Sequence, residues 1–233
     1  MRRPLLLLLL LTCAATLSCP MGGKQIRRTY YSFGYPTENA VQRYATPRHK
    51  VQIRVRQFDV ANAYDRAEIV YRSSAFELRY YAYRLWVSKP RKLLAELMSS
   101  YLRTSNIVSD VVQQIGESLP DYTLESDVIA IEELDSTRDQ WFAHLAMRFA
   151  LVRYEDKVVV WQYGFDEKKR VYQRDPTYVV KAMSEIFREQ MQVALGQMDS
   201  YLESVLDSPM PAPGLAARKV PVRVTGPKDV AGP

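Results

Sequence analysis

Residues that bind metals or form cross-links are scarce in this sequence, which has two cysteines and two histidines among 233 residues. His49 and His144 lie far from each other and from Cys19, and this spacing argues against a zinc site. The chain has neither the glycine-rich phosphate-binding motif nor the Gly-x-Ser-x-Gly motif of a serine nucleophile. We therefore expect no metal, no cofactor, no catalytic residues and no enzymatic activity.

Long hydrophobic runs are also missing. The most apolar stretch, Pro4–Leu17, has 14 residues, whereas a helix that crosses a bilayer needs about 17–25. Arg2 and Arg3 precede this stretch, small residues follow it, and the first acidic residue is Glu38. This pattern is typical of an export signal, which we assign to residues 1–18. A helix that anchors the chain in a membrane is the alternative.

Cys19 directly follows the apolar stretch. Cys13 lies inside the predicted signal and would be removed with it, so we expect no disulfide within the mature chain. A single cysteine in this place resembles the lipid-modified first residue of bacterial lipoproteins, where leucine is preferred three residues earlier and small residues come between. Ser18 fits that pattern, whereas Thr16 occupies the leucine position. We expect lipidation at Cys19, with an ordinary signal-peptidase cut after Ala15 or Ser18 as the alternative.

Charge is spread along the chain and forms no basic block. The sequence has 32 basic and 26 acidic side chains and a formal charge of +6, and without Arg2 and Arg3 in the predicted signal the charge is +4. A mildly basic protein of this kind is slightly favoured near anionic surfaces, but nothing in the pattern indicates a nucleic-acid partner.

Composition divides the chain into four parts. After the signal at 1–18, we assign residues 19–26 to a lipidated tether and residues 27–206 to one folded domain. Six of the 13 prolines lie within residues 207–233, which show only scattered aliphatic residues. Such a segment cannot bury enough apolar surface to offset its ordering entropy, so we predict a disordered tail there.

Two hydrophobic periodicities alternate within the predicted domain. Alternation of apolar and polar residues, or aromatic and aliphatic enrichment, predicts strands at Arg27–Phe33, Val51–Val55, Glu68–Arg72, Phe76–Trp86, Ile107–Val112, Val128–Glu133, Trp141–Leu151 and Lys157–Tyr163. Helical spacing predicts one helix of about 15 residues capped by Ser88 and a long helix opened by Asp175–Pro176. We therefore predict a single-domain α+β fold, a mostly antiparallel sheet with two main helices packed on it.

Several charged residues invite a catalytic interpretation. Glu132, Glu133 and Asp135 stand together at a predicted strand end beside Arg138, and we interpret them as a solvated rim. His144 falls on the polar face of the Trp141–Leu151 strand, where a solvated or hydrogen-bonded surface residue is expected.

Tyrosines crowd the strand that ends at Trp86. Tyr80, Tyr81 and Tyr83 lie on it, and Tyr71 lies on its predicted partner strand. Packing between neighbouring strands explains such aromatic pairs. The alternative is that Tyr80, Tyr81 and Tyr83 form an apolar surface for acyl chains or for a partner protein.

The segment Glu68–Leu102 resembles the ABC-type transport auxiliary lipoprotein component family, which is PqiC-like. Its members carry an I-x-Y-R strand, a second strand that ends in tryptophan, and a proline that opens a helix with paired leucines. In this sequence the corresponding residues are Ile69, Tyr71, Arg72, Trp86, Pro90, Leu93, Leu94 and Leu97.

The resemblance implies an accessory role without chemistry. Lipoproteins of this family work beside a membrane ABC transporter and an MCE-domain protein that carry lipids across the Gram-negative periplasm, and ATP hydrolysis belongs to a separate subunit. The implied partners are thus an MCE-domain protein and an ABC permease and ATPase complex, with Cys19 in the membrane. Tyr71, Arg72, Trp86 and Pro90 would hold structural or interface positions.

The resemblance also implies a location on the periplasmic face of the outer membrane. Pro20 follows Cys19, and it is not the aspartate that retains lipoproteins at the inner membrane in enteric bacteria. A stand-alone envelope lipoprotein that binds lipid or another envelope component is the alternative function. A homo-oligomer is compatible with both, because the methionines of the long helix suit either a core or a subunit interface.

Overall fold

The computed structural model describes residues 27–34, 41–137 and 140–206. The predicted signal, the lipidation site Cys19, the tether and the proline-rich tail lie outside the described residues and stay predictions. Within the described part the strands are β1 (Thr29–Tyr31), β2 (His49–Val55), β3 (Asp59–Val60), β4 (Glu68–Ser74), β5 (Glu77–Trp86), β6 (Val108–Val112), β7 (Tyr122–Thr137), β8 (Gln140–Arg153) and β9 (Val159–Val171). The helices are α1 (Pro90–Ser105) and α2 (Pro176–Leu206).

The three longest strands form an antiparallel meander, β7–β8–β9. β8 confirms the clearest predicted strand, since alternate residues from Trp141 to Leu151 are buried. β7 and β9 are longer than predicted, because the acidic and basic residues that interrupt their apolar pattern still pair along β8. Side chains of alternate β8 residues point to opposite faces, so that one face carries the core and receives α2.

The other edge of β7 pairs in parallel with three short strands in succession. β2 pairs near its beginning, β3 in its middle and β4 near its end. β6 joins β2 and β1 joins β5, both also in parallel. Five of the eight strand pairings between described residues are therefore parallel, and the sheet is mixed.

The predicted α+β fold with two helices is confirmed, and the sheet is mixed: its longest pairings, β7–β8 and β8–β9, are antiparallel, whereas the shorter parallel pairings were not predicted. Antiparallel partners such as β4 and β5 follow each other in the sequence and are joined by a short turn, here Ala75–Phe76. Such a pairing can be predicted from neighbouring segments. Parallel partners need long connections. Ile53 in β2, for example, pairs with Tyr122 in β7, and no local pattern in the sequence indicates that contact.

Helix α1 begins and ends at residues that suit its termini. Pro90 occupies the first turn, where backbone N–H groups have no partner within the helix, so its missing N–H costs no hydrogen bond. The capping residue is Lys89, and no side chain bonds the first turn, so the predicted Ser88 cap was wrong by one position. At the other end Asn106 adopts the left-handed conformation with φ 54°, which asparagine tolerates better than most residues.

Helix α2 lies across the core face of the meander and also contacts α1. The ring of Phe187 is 5.5 Å from that of Tyr101 in α1 and 6.0 Å from that of Phe33 after β1. Met183, Met191 and Met198 are fully buried along the same stripe. The three methionines thus fill the core between the sheet and the helices, as their helical spacing predicted.

One end of the domain gathers the β4–β5 turn, the connection after β9 and the start of α2. Tyr71 pairs with Glu133 in parallel register, so β4 and β7 run toward the same end. Trp141 pairs with Val171, which brings the end of β9 there too. We call this end the hairpin pole and define it by the β4–β5 turn Ala75–Phe76, by Tyr172 and by the first turn of α2.

Candidate functional site

Of the four motif residues expected at structural or interface positions, Trp86 and Pro90 are buried in the domain. Trp86 is 2% exposed, and its ring stacks on that of Phe33 with centroids 5.5 Å apart. Pro90 is buried at the start of α1. Both side chains contribute to the packing between the sheet and the helices, whereas Tyr71 and Arg72 lead to two polar clusters on β7.

Arg72 belongs to a buried hydrogen-bonded group that we call the Glu132 cluster. Its Nε donates to both carboxylate oxygens of Glu132, each at 3.0 Å. The hydroxyl of Tyr64 donates to Oε2 of Glu132 at 2.7 Å. His144 lies between two carboxylates, with Nδ1 3.1 Å from Oε1 of Glu132 and Nε2 2.9 Å from Oδ1 of Asp166. The cluster therefore joins β4, β7, β8 and β9 through side chains.

Ionisation of the Glu132 cluster follows from these contacts. Burial disfavours a charged carboxylate, but hydrogen bonds from His144, Arg72 and Tyr64 outweigh it and lower the pKa of Glu132 to about 2. Burial and the bond to Glu132 raise the pKa of Tyr64 to about 12. The carboxylate is thus charged and the phenol neutral throughout the physiological range.

The predicted solvated rim was wrong for both glutamates. Glu132 is 2% exposed and Glu133 is fully buried, because β7 lies inside the sheet with β8 on one edge and β4 on the other. Adjacent residues of a strand point to opposite faces, so the two glutamates could not share one rim, and that alternation was the available signal. His144 is hydrogen-bonded as expected, but it is buried.

Glu133, on the opposite face of β7, has fewer hydrogen bonds than Glu132. The hydroxyl of Tyr81 donates to its Oε1 at 2.9 Å, while its Oε2 and the nearby core atom Nε1 of Trp141 have no hydrogen-bond partner within the described residues. Burial, and then the neighbouring Asp135, raise the pKa of Glu133 to about 7 despite the bond from Tyr81. The two adjacent glutamates therefore have opposite pKa shifts.

The tyrosines of β5 do not share one environment. Tyr81 is half-buried and packs on Tyr71 with ring centroids 4.7 Å apart. Tyr80 and Tyr83 are each 42% exposed, and the guanidinium of Arg66 lies 3.6 Å from the ring centre of Tyr80. The structure thus brings Tyr71 and Tyr81 together and separates Tyr80 from them. An apolar surface formed by the predicted three tyrosines stays a prediction.

A shallow depression of about 390 Å³ lies beside β2 and α1. Its lining is mostly polar and already paired: Arg91 binds Asp65 through two bonds of 2.7 and 2.9 Å, and Arg56 binds Glu125 at 2.6 Å. The lining residues are Arg54, Arg56, Gln57, Phe58, Asp59, Arg91 and Gln113. Such a surface does not have the apolar lining that an acyl chain requires.

A second buried cluster, missed by the sequence analysis, surrounds Asp199 on α2. Nε2 of His49 lies 2.9 Å from its Oδ1, and the hydroxyl of Tyr44 donates to its Oδ2 at 2.6 Å. Arg48 completes the contacts at 3.2 Å. The partners are about 150 residues apart, so only one signal was available: Asp199 falls at helical spacing within the buried stripe.

Burial opposes ionisation of Asp199, but the hydrogen bonds from Tyr44 and His49 and the charge of Arg48 keep its pKa below the ordinary range. Both clusters thus join distant elements through charged hydrogen bonds. Among the described residues no group of three or more histidine, cysteine or acidic side chains is arranged to hold a metal ion. None of the described helices is long and apolar enough to cross a membrane.

Comparison with solved structures identifies the fold. Protein XCC0632 from Xanthomonas campestris, of the DUF330 family, superposes with a TM-score of 0.68 at 19% identity, covering 77% of this chain and 99% of that one. An uncharacterised protein superposes with a TM-score of 0.58 at 13% identity, covering 74% and 99%. At these identities the likeness concerns the fold alone.

The family is shown by the sequence itself. No curated protein matches the chain, but a sequence model of the ABC-type transport auxiliary lipoprotein component matches residues 31–192. This match extends from the end of β1 to the middle of α2 and includes all four motif residues discussed above. The chain belongs to the family of ABC-type transport auxiliary lipoprotein components, which are PqiC-like.

Proposed function

We propose that the protein is a non-catalytic periplasmic lipoprotein, anchored in the outer membrane, that serves as an accessory subunit of an ABC/MCE-type lipid transport system between the two membranes. The observation that carries the proposal is the family match over residues 31–192. An auxiliary transport component acts beside a transporter, which fits a sequence without a phosphate-binding loop of its own.

The geometry supports a scaffold role. The buried polar side chains of the Glu132 cluster bond one another instead of lining a cavity, and the Asp199 cluster joins the start of β2 to the last third of α2. Satisfied buried networks of this kind fix one arrangement of the elements. A domain held in this way presents a constant surface to a partner.

Affinity capture tests the partnership. The chain, carrying a C-terminal tag and expressed at its native level, is recovered from membranes dissolved in mild detergent, and co-purified proteins are identified by mass spectrometry. We expect an MCE-domain protein and an ABC permease. Recovery of the chain without either subunit would contradict the proposed partnership and favour the stand-alone envelope lipoprotein.

The anchor is tested separately through Cys19. We expect acyl labelling of the wild type, and we expect Cys19→Ser to abolish the labelling and to release the domain into the soluble periplasmic fraction. Arg28→Ser in the same region is the matched control and leaves both properties unchanged. An unlabelled wild type would contradict lipidation at Cys19: its recovery in the soluble fraction would then favour an ordinary signal-peptidase cut, and its recovery in membranes an uncleaved anchor helix.

A further inference from the structure

The two most exposed aromatic side chains among the described residues both lie at the hairpin pole. Phe76, in the β4–β5 turn, is 100% exposed, and Tyr172, which follows β9, is 85% exposed. Exposing a phenylalanine completely gains nothing in folding. Two such residues at one end of the domain indicate a surface that contacts something less polar than water.

Basic side chains surround the two aromatic residues. The guanidinium of Arg170 lies 5.3 Å from the ring centre of Tyr172, and Arg79 and Arg174 lie on the same end. The acidic neighbours Glu77 and Asp135 form ion pairs with these two arginines, at 2.6 and 3.5 Å. At the first turn of α2, the carboxylate of Asp175 accepts a hydrogen bond from the N–H of Thr177 at 2.7 Å.

The direction of β1 leads the N-terminal segment toward the same pole. β1 is parallel to β5, with Thr29 opposite Arg84 and Tyr31 opposite Trp86. Since β5 begins at the pole and runs away from it, the chain that precedes Thr29 leaves toward the pole. The predicted attachment residue Cys19 lies ten positions earlier.

The segment is long enough for Cys19 to meet the membrane at the pole. Ten residues span at most about 35 Å. Seven residues of β5 separate the level of Arg84 from Glu77, or about 24 Å of strand. A fully extended segment would therefore reach past the pole by about 10 Å. To place the opposite end on the membrane, the chain would have to reverse its direction at Thr29.

We propose that the hairpin pole contacts the anionic lipid surface to which Cys19 is attached, with Phe76 and Tyr172 at the level of the headgroups. This inference rests on the lipid anchor of the proposed function. Aromatic rings favour the interface between headgroups and acyl chains, and arginines are attracted to anionic lipids. The contact fixes the orientation of the domain. The strands of the meander then extend away from the bilayer, with the start of β7 at the far end.

Quenching by brominated lipids tests the contact. The lipoprotein, purified from membranes as the cell processes it, is reconstituted in vesicles of phosphatidylethanolamine with about one-quarter phosphatidylglycerol, with or without bromine on the acyl chains. Phe76→Trp reports on the pole, and Leu119→Trp is the matched control, because Leu119 is 65% exposed near the start of β7 at the other end. The wild-type signal of the native tryptophans is subtracted from both.

We expect the tryptophan of the Phe76→Trp variant to lose roughly twice as much emission to the brominated lipids as that of Leu119→Trp, or more. Tyr172→Trp should match Phe76→Trp. Equal quenching of Phe76→Trp and Leu119→Trp in acylated, vesicle-bound protein would overturn the membrane contact and leave the anchor intact. If mass spectrometry of the same sample finds no acyl chain on Cys19, the anchor itself fails, and the inference fails with it.

A protein partner at the pole is a separate outcome. If Phe76→Trp is not quenched, and Phe76→Asp lowers the recovery of transporter subunits in the affinity capture, the pole binds protein and our assignment to lipid is wrong. If Phe76→Asp leaves that recovery unchanged and abolishes the quenching of Tyr172→Trp, the assignment to lipid is supported.

Discussion

Glu133→Gln should change how the stability of the domain depends on pH. Glu133 is fully buried and its pKa is raised from 4.5 to about 7. The folded state thus holds the proton more tightly than the unfolded state does. Stability from this residue is fully present below pH 4.5 and is lost as pH rises through 7. A shift of this size corresponds to about 3 kcal/mol, at about 1.4 kcal/mol for each pKa unit.

The glutamine variant keeps an acceptor for Tyr81 and cannot ionise. We therefore expect the free energy of unfolding of Glu133→Gln, relative to wild type, to rise by about 3 kcal/mol between pH 5 and pH 8. Urea unfolding, followed by the fluorescence of the buried Trp86 and Trp141 at several pH values, measures it. If the two stability curves stay parallel over this range, Glu133 does not titrate there and the reasoning is refuted.

Glu132→Gln is the matched control, because it changes the neighbouring residue on the opposite face. The pKa of Glu132 is lowered to about 2, so its stabilising contribution is present above pH 4.5 and is lost as pH falls toward 2. Between pH 5 and pH 8 the variant should be less stable than wild type by an amount that does not vary with pH. If the deficit shrank as pH rose from 5 to 8, Glu132 would be the residue with the raised pKa, and the assignments of the two glutamates would be interchanged.

Three further substitutions test the packing. Asp199→Asn weakens the charged bonds of a buried carboxylate and should lower the free energy of unfolding by about 2 kcal/mol, whereas Glu203→Gln, on a half-exposed partner of the same network, should have little effect in the same urea titration. Gly196→Ala should stabilise α2 by about 1 kcal/mol in an Arg43→Ala background, and by less alone, because the added Cβ would lie 3.2 Å from Arg43. Trp86→Ala should cost about 3–5 kcal/mol in thermal unfolding, and a loss below 1 kcal/mol would contradict its core position.

The sequence predicted the elements that carry a clear hydrophobic period. β8 was found because every second residue from Trp141 packs under α2, and α2 was found because its stripe repeats over 31 residues. β7 was predicted too short, since Glu125 and Asp127 interrupt its apolar pattern. Those residues lie in β7 because they pair with the neighbouring strand β8, and a short window of sequence gives no sign of that pairing.

The polar clusters could not be assembled from the sequence in the same way. His49 and Asp199 are 150 positions apart, and Arg72 and Glu132 are 60 apart. Each contact depends on which strands become neighbours, and the parallel pairings of β2 and β4 with β7 decide that. The family motif identified Arg72 as important, but its partner Glu132 lies outside the motif.

β2, β3 and β4 all pair with one edge of β7, so the sheet cannot form until β7 is available. β2, β3 and β4 leave the ribosome well before β7, so the first half of the chain has neither its central strand nor the carboxylate that Arg72 binds. Until residue 137 has emerged, the parallel edges of these strands remain open to wrong pairing. Pairings so distant along the chain favour slow folding.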